Sequence, residues 1–260
     1  MNEAELIFTE ILGCSRSELY LNKGMMLTRR QLGRVAGALK RRMRREPAQY
    51  ILGKTEFMGM EFEVNPNVLI PRPETEVLVE TAVRYALPPQ AEVRHLLDIG
   101  TGSGCIAVSL RRLLYGTEVW ASDISSLALE TARRNADRNN TPVRFIEADL
   151  FPDCDGRVFD MIVSNPPYIR EDEFPGLQPE VRWEPVNALY GGKDGLDFFY
   201  RIARGCAGHL SSSGRLLLEV GYDQSQAVCA IIAENHLRVE EVVKDYAGID
   251  RVIVARRKNV

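Results

Sequence analysis

The chain has 260 residues, enough to bury one core of ordinary domain size and to carry a smaller appended domain. Its 45% hydrophobic and 27% charged residues are typical of a globular protein, and no apolar run reaches the roughly 18–20 residues that span a bilayer. A formal net charge of −3 argues against a dedicated nucleic-acid binder, which is normally basic.

The cysteines and histidines give no sign of a metal site. Five cysteines are scattered without a CxxC pair, and the three histidines lie far apart in the sequence. The acidic N-terminus, residues 1–5, lacks the basic start and apolar centre of a secretory signal. We therefore expect a protein of the reducing cytoplasm, without a metal.

The first 45 residues are predicted to be helical, because apolar residues recur there at helical spacing. Thr28 is placed to cap one helix, and Glu46-Pro47 to end it, since proline disfavours helical dihedral angles in the residue before it. Residues 29–45 of this helix hold eight basic residues and no acidic one. Two interpretations stay open: a solvated helix face, or a contact surface for a partner that is acidic or RNA-bound.

Strand-like residues follow over 55–64, broken by Met58-Gly59, and predict a β-hairpin. Prolines mark a linker after it, and residues 74–85 are predicted to be helical. These patterns divide the chain into an N-terminal helical domain over 1–50, a hairpin and linker over 51–75, and a larger domain over 76–260.

From residue 93 strands and helices alternate, which is typical of a doubly wound, mostly parallel sheet with its ligand beyond the carboxyl ends of the strands. The predicted strands are 95–99, 118–122, 143–147, 158–163, 215–220, 239–244 and 251–255. The predicted helices are 105–114, 125–138, 195–209 and 224–235. The fold class is therefore α/β, with a Rossmann-like sheet of seven strands.

A glycine loop, Asp98-Ile99-Gly100-Thr101-Gly102-Ser103-Gly104, lies between a predicted strand and helix, as a nucleotide-binding loop requires. Its GxGxG spacing differs from the GxGxxG/A fingerprint of dinucleotide sites. Asp123 ends the next strand, where a carboxylate can accept both ribose hydroxyls of an adenosine moiety or simply cap a helix. Asp149-Leu150 follows the third strand and is placed to meet an adenine edge and face, or to form a turn.

The fourth strand runs into Ser164-Asn165-Pro166-Pro167-Tyr168, the most specific motif in the chain. Asn165 offers a side-chain carbonyl and Pro166 a backbone carbonyl, and the prolines hold both residues extended. Two such acceptors can bind both hydrogens of a planar NH2 group and stabilise charge that develops on its nitrogen. Tyr168 offers an aromatic face for a planar group or a cation.

The joint occurrence of DIGTGSG, SNPPY and IPRPETE, the last over Ile70–Glu76, resembles the bacterial release-factor glutamine N5-methyltransferases, the HemK or PrmC family. The resemblance covers nearly the whole chain and extends to Glu180–Pro185, Ala188-Leu189 and Leu217–Gly221. Some members carry tryptophan where this chain has Leu150, so that adenine would pack on an aliphatic face.

The resemblance implies a class I methyltransferase fold, S-adenosylmethionine as cofactor, and the glutamine of the Gly-Gly-Gln loop of class-1 release factors as substrate. It implies a protein of translation termination with no requirement for direct nucleic-acid contact. Asn165, Pro166 and Tyr168 are the predicted catalytic residues, and Pro167 joins them in holding the glutamine. The predicted cofactor residues are Gly100, Thr101, Gly102, Ser103, Gly104, Asp123, Leu150 and Asn165. The roles of Arg72, Glu180 and Arg182 stay open between lining the substrate entrance and structural salt bridges.

Rival interpretations share parts of these motifs. Asn-Pro-Pro-Tyr also occurs in enzymes that methylate a ribosomal-protein glutamine or a nucleic-acid base. A base methyltransferase would need a basic track near the motif, whereas the basic residues here concentrate in residues 29–45. A nicotinamide dehydrogenase is disfavoured by the GxGxG spacing. An inactive binding module is disfavoured because the loop, the ribose acid and Asn165 to Tyr168 are all intact.

Overall fold

The computed structural model describes residues 2–22, 24–87 and 92–258. Its helices are α1 (Glu3–Leu12), α2 (Arg16–Leu21), α3 (Arg29–Arg42), α4 (Ala48–Leu52), α5 (Pro73–Ala86), α6 (Cys105–Leu113), α7 (Ser126–Arg138), α8 (Asp197–His209) and α9 (Ser225–Glu234). Its strands are β1 (Lys54–Phe57), β2 (Met60–Glu63), β3 (His95–Ile99), β4 (Glu118–Asp123), β5 (Arg144–Glu147), β6 (Phe159–Ser164), β7 (Leu210–Glu219), β8 (Leu237–Lys244) and β9 (Asp250–Arg257). Short 3-10 helices cover Glu171–Gly176, Val181–Trp183 and Val186–Ala188.

Helices α1 to α4 form a small layer of their own. Helices α1, α3 and α4 share an apolar cluster that consists of Ile7, Ile11, Val35, Ala38 and Ala48. The predicted cap at Thr28 is present: its hydroxyl accepts from the backbone N–H of Gln31 at 3.2 Å. Helix α3 ends at Arg42, a little earlier than predicted.

The predicted hairpin is formed by β1 and β2, which pair antiparallel with Phe57 opposite Met60. Met58 and Gly59 both have positive φ, 50° and 68°, as a type I′ turn requires. The hairpin docks on α7, because the side-chain oxygen of Asn135 accepts from the N–H of Glu63 and its nitrogen donates to the carbonyl of Glu63. The hairpin therefore joins the helical layer to the larger domain.

The main sheet has seven strands in the order β5-β4-β3-β6-β7-β9-β8, which confirms the predicted fold class. Strand β9 is antiparallel to both of its neighbours, and the strands from β5 to β7 run parallel. The chain builds outward from β3 to β5 and then returns to place β6 on the other side of β3. This reversal lies between β3 and β6, where ligands bind in sheets of this kind.

Apolar side chains cover both faces of the sheet. Helices α5 and α6 contribute Leu78 and Val108 to one buried cluster, and α8 and α9 contribute Phe199 and Ile232 to the other. The result is a three-layer arrangement in which the strand ends remain open for a site. Among the described residues, no helix is both long and apolar enough to cross a membrane.

Strand β7 differs most from its predicted extent, since it begins at Leu210 instead of residue 215. Its early part contains Ser211, Ser212, Ser213 and Gly214, which read as a loop by composition. The pairing of Leu210 with Phe159 and a bulge in the register draw this polar stretch into the sheet.

Candidate active site

A cleft of about 870 Å³ opens at the carboxyl ends of β3, β4 and β6. One wall, the glycine-loop side, is formed by lining residues in the ranges 99–102, 123–128 and 148–150. The other wall, the Asn-Pro-Pro side, is formed by 164–167 and 186–190, and 67–69 complete the lining next to Ala128. Its size is within the range of about 300–1,000 Å³ that is usual for sites of small ligands.

The glycine loop presents bare backbone to this cleft. Gly100 and Gly102 line it with positive φ, 71° and 55°, and an added Cβ at either would meet no heavy atom within 4 Å. The loop is bound to strand β4, because the N–H groups of Gly100 and Thr101 both donate to the carbonyl of Ser122, at 2.9 and 3.0 Å. A ligand can therefore approach the main chain closely.

The other predicted loop residues lie behind this surface and are not among the residues that line the cleft. The Thr101 hydroxyl donates to the buried Asp98 at 2.7 Å. The Ser103 carbonyl accepts from Asn135 at 2.8 Å. A Cβ added at Gly104 would lie 3.0 Å from the Cβ of Ala132 in α7. Gly104 therefore permits helix α7 to pack closely, while Gly100 and Gly102 form the ligand-facing surface.

Asp123 faces the cleft from the end of β4. Its two oxygens accept from the N–H groups of Gly102 at 2.8 Å and Ser125 at 2.9 Å. The cap of α7 is Ser125 and not Asp123, because the Ser125 hydroxyl accepts from the N–H of Ala128. Burial raises the pKa of Asp123, and the surrounding backbone N–H groups oppose that rise. A carboxylate has further lone pairs to offer, so Asp123 is oriented by the loop and can still accept hydrogen bonds from a ligand.

Leu150 and Asp149 form the end of the glycine-loop side. Leu150 has a positive φ of 71°, which is unusual for a branched side chain, and its carbonyl accepts from the Ser122 hydroxyl at 2.5 Å. Asp149 forms an ion pair with Arg201 of α8 at 2.7 Å. The strained backbone of Leu150 is thus held by β4, and its apolar side chain contributes to the wall of the cleft.

Asn165, Pro166 and Pro167 line the opposite wall, directly after β6. The side-chain nitrogen of Asn165 donates to the Thr75 hydroxyl at 3.1 Å. Thr75 is 2% exposed and belongs to the first turn of α5, within the segment that begins at Ile70. With its nitrogen occupied, the Asn165 side chain has its carbonyl oxygen available as an acceptor.

Tyr168 is separated from these three residues. It lines a neighbouring cavity of about 510 Å³, together with Gly221 and Arg251. Its carbonyl accepts from Gln224 at 3.0 Å, and a Cβ added at Gly191 would lie 2.7 Å from its Cα. Tyr168 is therefore not among the residues that line the cleft with Asn165.

The three charged residues of uncertain role form ion pairs and hydrogen bonds within the chain. Arg72 pairs with Glu184, which is only 4% exposed and also accepts from the N–H of Ile70. Glu180 pairs with both Arg42 and Arg45 of the basic stretch, each at 2.8 Å. The guanidinium of Arg182 donates to the carbonyl of Pro175. These contacts fix residues 175–184, which lead into the Asn-Pro-Pro side.

Several lining residues were not predicted. Asn67, Val68 and Leu69 precede the segment that starts at Ile70, and Phe198, Tyr200 and Arg201 come from the first turns of α8. The aromatic run over 198–200 resembles ordinary core in sequence, and only Phe199 is fully buried. Three glycines, at 191, 192 and 195, bring the start of α8 close to the cleft. They are the sequence signal that could have indicated that α8 contributes to the site.

The fold resembles that of methyltransferases of known structure. A ribosomal protein L11 methylase from Lactobacillus delbrueckii subsp. bulgaricus matches with a TM-score of 0.54 and 21% identity, over 75% of this chain and 84% of the other. A 16S rRNA methyltransferase (RsmC) from T. thermophilus, solved with AdoMet and guanosine, matches with a TM-score of 0.55 and 17% identity, over 79% and 50%. The seven-stranded sheet and these matches define the class I methyltransferase fold.

Sequence comparison identifies the family. Family models match residues 1–53 as the PrmC N-terminal domain and residues 74–178 as the Methyltransferase small domain. A release factor glutamine methyltransferase from Geobacter sulfurreducens is 43% identical over 255 residues, covering 98% of this chain and 88% of the relative. One from Koribacter versatilis is 43% identical over 259 residues, covering 98% and 90%. The chain belongs to the release factor glutamine methyltransferase family, which confirms the resemblance predicted from the motifs.

Proposed function

We propose that this enzyme transfers the methyl group of S-adenosylmethionine to the side-chain amide nitrogen, N5, of the glutamine in the Gly-Gly-Gln motif of class-1 peptide chain release factors. One observation carries the proposal. A single cleft joins a bare-backbone glycine loop and the acid Asp123 to the acceptor pair of Asn165 and Pro166. This cleft occurs in a chain 43% identical to a curated release factor glutamine methyltransferase over 98% of its length.

The glycine-loop side fits an adenosine-containing cofactor. Gly100 and Gly102 offer open backbone, Asp123 offers lone pairs for the two ribose hydroxyls, and Leu150 offers an apolar face to the adenine. When bound there, S-adenosylmethionine supplies a methyl group on a positively charged sulfur. Thr101, Ser103 and Gly104 support the loop in this proposal, and Asn165 borders the cofactor from the opposite wall.

The Asn-Pro-Pro side holds the substrate amide. The side-chain oxygen of Asn165 and the carbonyl of Pro166 accept the two N–H hydrogens of the glutamine, while Pro167 keeps Pro166 extended. The lone pair of an amide nitrogen is delocalised into its carbonyl, so the free group is a poor nucleophile. Two acceptors aimed at its hydrogens orient the nitrogen and favour the state in which that lone pair is available.

As the nitrogen bonds to the methyl carbon, positive charge develops on it and the methyl–sulfur bond breaks. Asn165 and Pro166 stabilise that charge through the hydrogen bonds they already make. One N–H proton then leaves to solvent, which leaves a neutral methylated amide, and no base is needed before the transfer. Tyr168 remains a proposed substrate contact. In this proposal, part of the release factor enters the neighbouring cavity that Tyr168 lines.

The proposal extends to the partner and the domains. The helical domain over residues 1–50 and the linker over 51–75 position residues 76–260 against a protein substrate, without a requirement for nucleic acid. Translation termination takes place in the cytoplasm, so we propose that the enzyme acts there.

The test is methyl transfer from labelled S-adenosylmethionine to a purified class-1 release factor, run beside its Gly-Gly-Ala variant. Label on the parent protein alone is the expected result and locates the reaction at the glutamine. Equal label on both would contradict the proposed acceptor. Label on neither, with the cofactor bound, would contradict the release factor as substrate and direct the same assay to ribosomal proteins.

A further inference from the structure

A buried carboxyl group beside the site has no part in the mechanism described so far. Glu219 ends β7, is 1% exposed, and its Oε2 has no hydrogen-bond partner among the described residues. Burial raises the pKa of this carboxyl to about 7, opposed by a side-chain hydrogen bond with Thr75 and by the charge of Arg251. An ionisable group buried in this way is costly and calls for a functional or structural reason.

The sheet brings Glu219 level with Asn165. Strands β6 and β7 are parallel neighbours with Ser164 paired to Leu218, so Asn165, directly after β6, lies level with Glu219, the last residue of β7. Thr75 connects the two. Its hydroxyl accepts from the Asn165 nitrogen at 3.1 Å, and its side chain lies near enough to Glu219 to lower the pKa of that carboxyl.

A threonine hydroxyl has one hydrogen, so it can donate to only one partner at a time. The ionised carboxylate of Glu219 is an acceptor only, so it can take the hydrogen of Thr75 and cannot donate to it. The Thr75 oxygen is then left to accept, and the group that Asn165 turns toward it must be the NH2. In this series of Asn165, Thr75 and Glu219, the carboxylate of Glu219 thus determines the direction of both hydrogen bonds.

We propose that Glu219 and Thr75 are positioning residues that fix the orientation of the Asn165 side-chain amide, so that its oxygen faces the substrate. This inference rests on the proposed function. In the opposite orientation Asn165 would present its own NH2 to the NH2 of the substrate, two donors without an acceptor. The series also polarises Asn165, because hydrogen bonds that point toward a carboxylate strengthen one another and make the free oxygen a better acceptor.

The test compares steady-state kinetics of the full chain and its Thr75→Val variant at about pH 8, where Glu219 is mainly ionised. Valine keeps the shape of threonine and removes the hydroxyl. We expect kcat to fall by about 10- to 100-fold, with little change in cofactor binding, because a misdirected acceptor costs rate at the reacting group. Thr75→Ser restores the hydroxyl and should recover most of the lost kcat.

Two further variants locate the effect. Thr81→Val makes the same change at another buried threonine of α5, 3% exposed, and should leave kcat as it is. Glu219→Gln gives Thr75 a partner that can donate, so kcat should fall by about three- to tenfold. A Thr75→Val variant with full kcat would overturn the inference, and a Glu219→Gln variant with full kcat would overturn the role of Glu219.

A readout without catalysis separates this inference from the proposed function. In protein labelled with ¹⁵N-asparagine, the Asn165 side-chain signal is identified by its loss in Asn165→Asp. We expect Thr75→Val, but not Thr81→Val, to shift this signal and speed its exchange with solvent. An unchanged signal would overturn the hydrogen-bond series even if the release factor is methylated. A changed signal in an enzyme that does not methylate release factors would support the series and contradict the substrate.

Discussion

The two walls of the cleft are held together in different ways. On the glycine-loop side, the loop is tied to the adjacent strand by backbone bonds from Gly100 and Thr101 to Ser122, and by Asp123. On the Asn-Pro-Pro side, the contacts join side chains far apart in the chain. Thr75 and Asn165 are 90 residues apart, and Arg72 and Glu184 are 112 apart.

This difference matches the two ligands that the proposed function requires. A small cofactor needs a preformed surface, which neighbouring parallel strands provide through main-chain bonds. A protein loop needs a wall that admits a large partner, and here that wall is stabilised by ion pairs with residues 171–190. Substitutions on the two sides should therefore change different quantities: cofactor affinity on one side, and turnover or substrate affinity on the other.

The largest effect is expected for Asn165→Ala. Loss of the acceptor that we propose stabilises the developing charge should lower kcat by about 10²- to 10³-fold, with cofactor affinity nearly unchanged. Single-turnover methyl transfer and calorimetric cofactor binding measure the two quantities. Asn235→Ala is the matched control, since that side chain bonds to Ile231 at the end of α9. An Asn165→Ala enzyme that has lost cofactor binding as severely as Asp123→Ala would contradict the division between the walls.

Asp123→Ala should act on the other wall. It removes the carboxylate that we propose accepts from two ribose hydroxyls, so the cofactor Kd should rise by about 10- to 100-fold. Turnover at saturating cofactor should change much less. Asp137→Ala, an exposed aspartate on α7, serves as the control. A normal Kd in Asp123→Ala would show that the ribose is held elsewhere.

Glu219→Gln tests the buried carboxyl below the Asn-Pro-Pro side. The pKa of Glu219 is raised from 4.5 to about 7, so the folded state holds this proton more tightly than the unfolded state. The resulting stabilisation is present at low pH and is lost as pH rises from 4.5 through 7. Between these pH values, ionisation of Glu219 should change the free energy of unfolding by up to about 1.4 kcal/mol per pH unit. Glu219→Gln should remove this slope.

Urea unfolding at several pH values within and above this window measures the slope. The exposed Glu147→Gln variant should unfold with the slope of the parent enzyme. If Glu219→Gln kept the parent's slope as well, Glu219 would not be the group that titrates.

Arg72→Ala should have a moderate effect on the same wall. Among the described residues, the buried Glu184 would keep only the N–H of Ile70 as a partner, which should lower the free energy of unfolding by about 1–3 kcal/mol. We also expect a higher KM for the release factor with less change in cofactor Kd. Arg94→Ala removes an exposed pair with Glu92 and is the control in urea unfolding and kinetics. A change in cofactor Kd larger than the change in KM would contradict the assignment to the substrate wall.

The smallest effect is expected when Arg42 and Arg45 are both changed to alanine. Glu180 is then unpaired near the surface, and each lost ion pair should contribute less than about 1 kcal/mol to stability. Any rise in KM should shrink at high salt, where exposed charges are screened. A rise in KM that salt does not change would mean that these arginines contact the partner by other means.

The sequence by itself determined the elements whose signals are local. The hairpin turn at Met58-Gly59, the cap at Thr28 and the seven strands follow from short-range sterics and from apolar patterning, and the structure contains them. Strand β7 began earlier than predicted because its pairing with β6, and not its own composition, draws the serine-rich stretch into the sheet. The glycine loop and Asp123 could be predicted because they follow strands that are neighbours in both sequence and space.

Tertiary structure alone decided which side chains share a wall of the cleft. Thr75 meets Asn165 and Glu219 only because α5 packs beside the ends of β6 and β7. Tyr168 follows Asn165 closely in sequence yet lines the neighbouring cavity with Gly221 and Arg251. Sequence spacing determines the relative directions of side chains that are a few residues apart. Contacts between residues about 100 positions apart depend instead on how the helices and the sheet pack against each other.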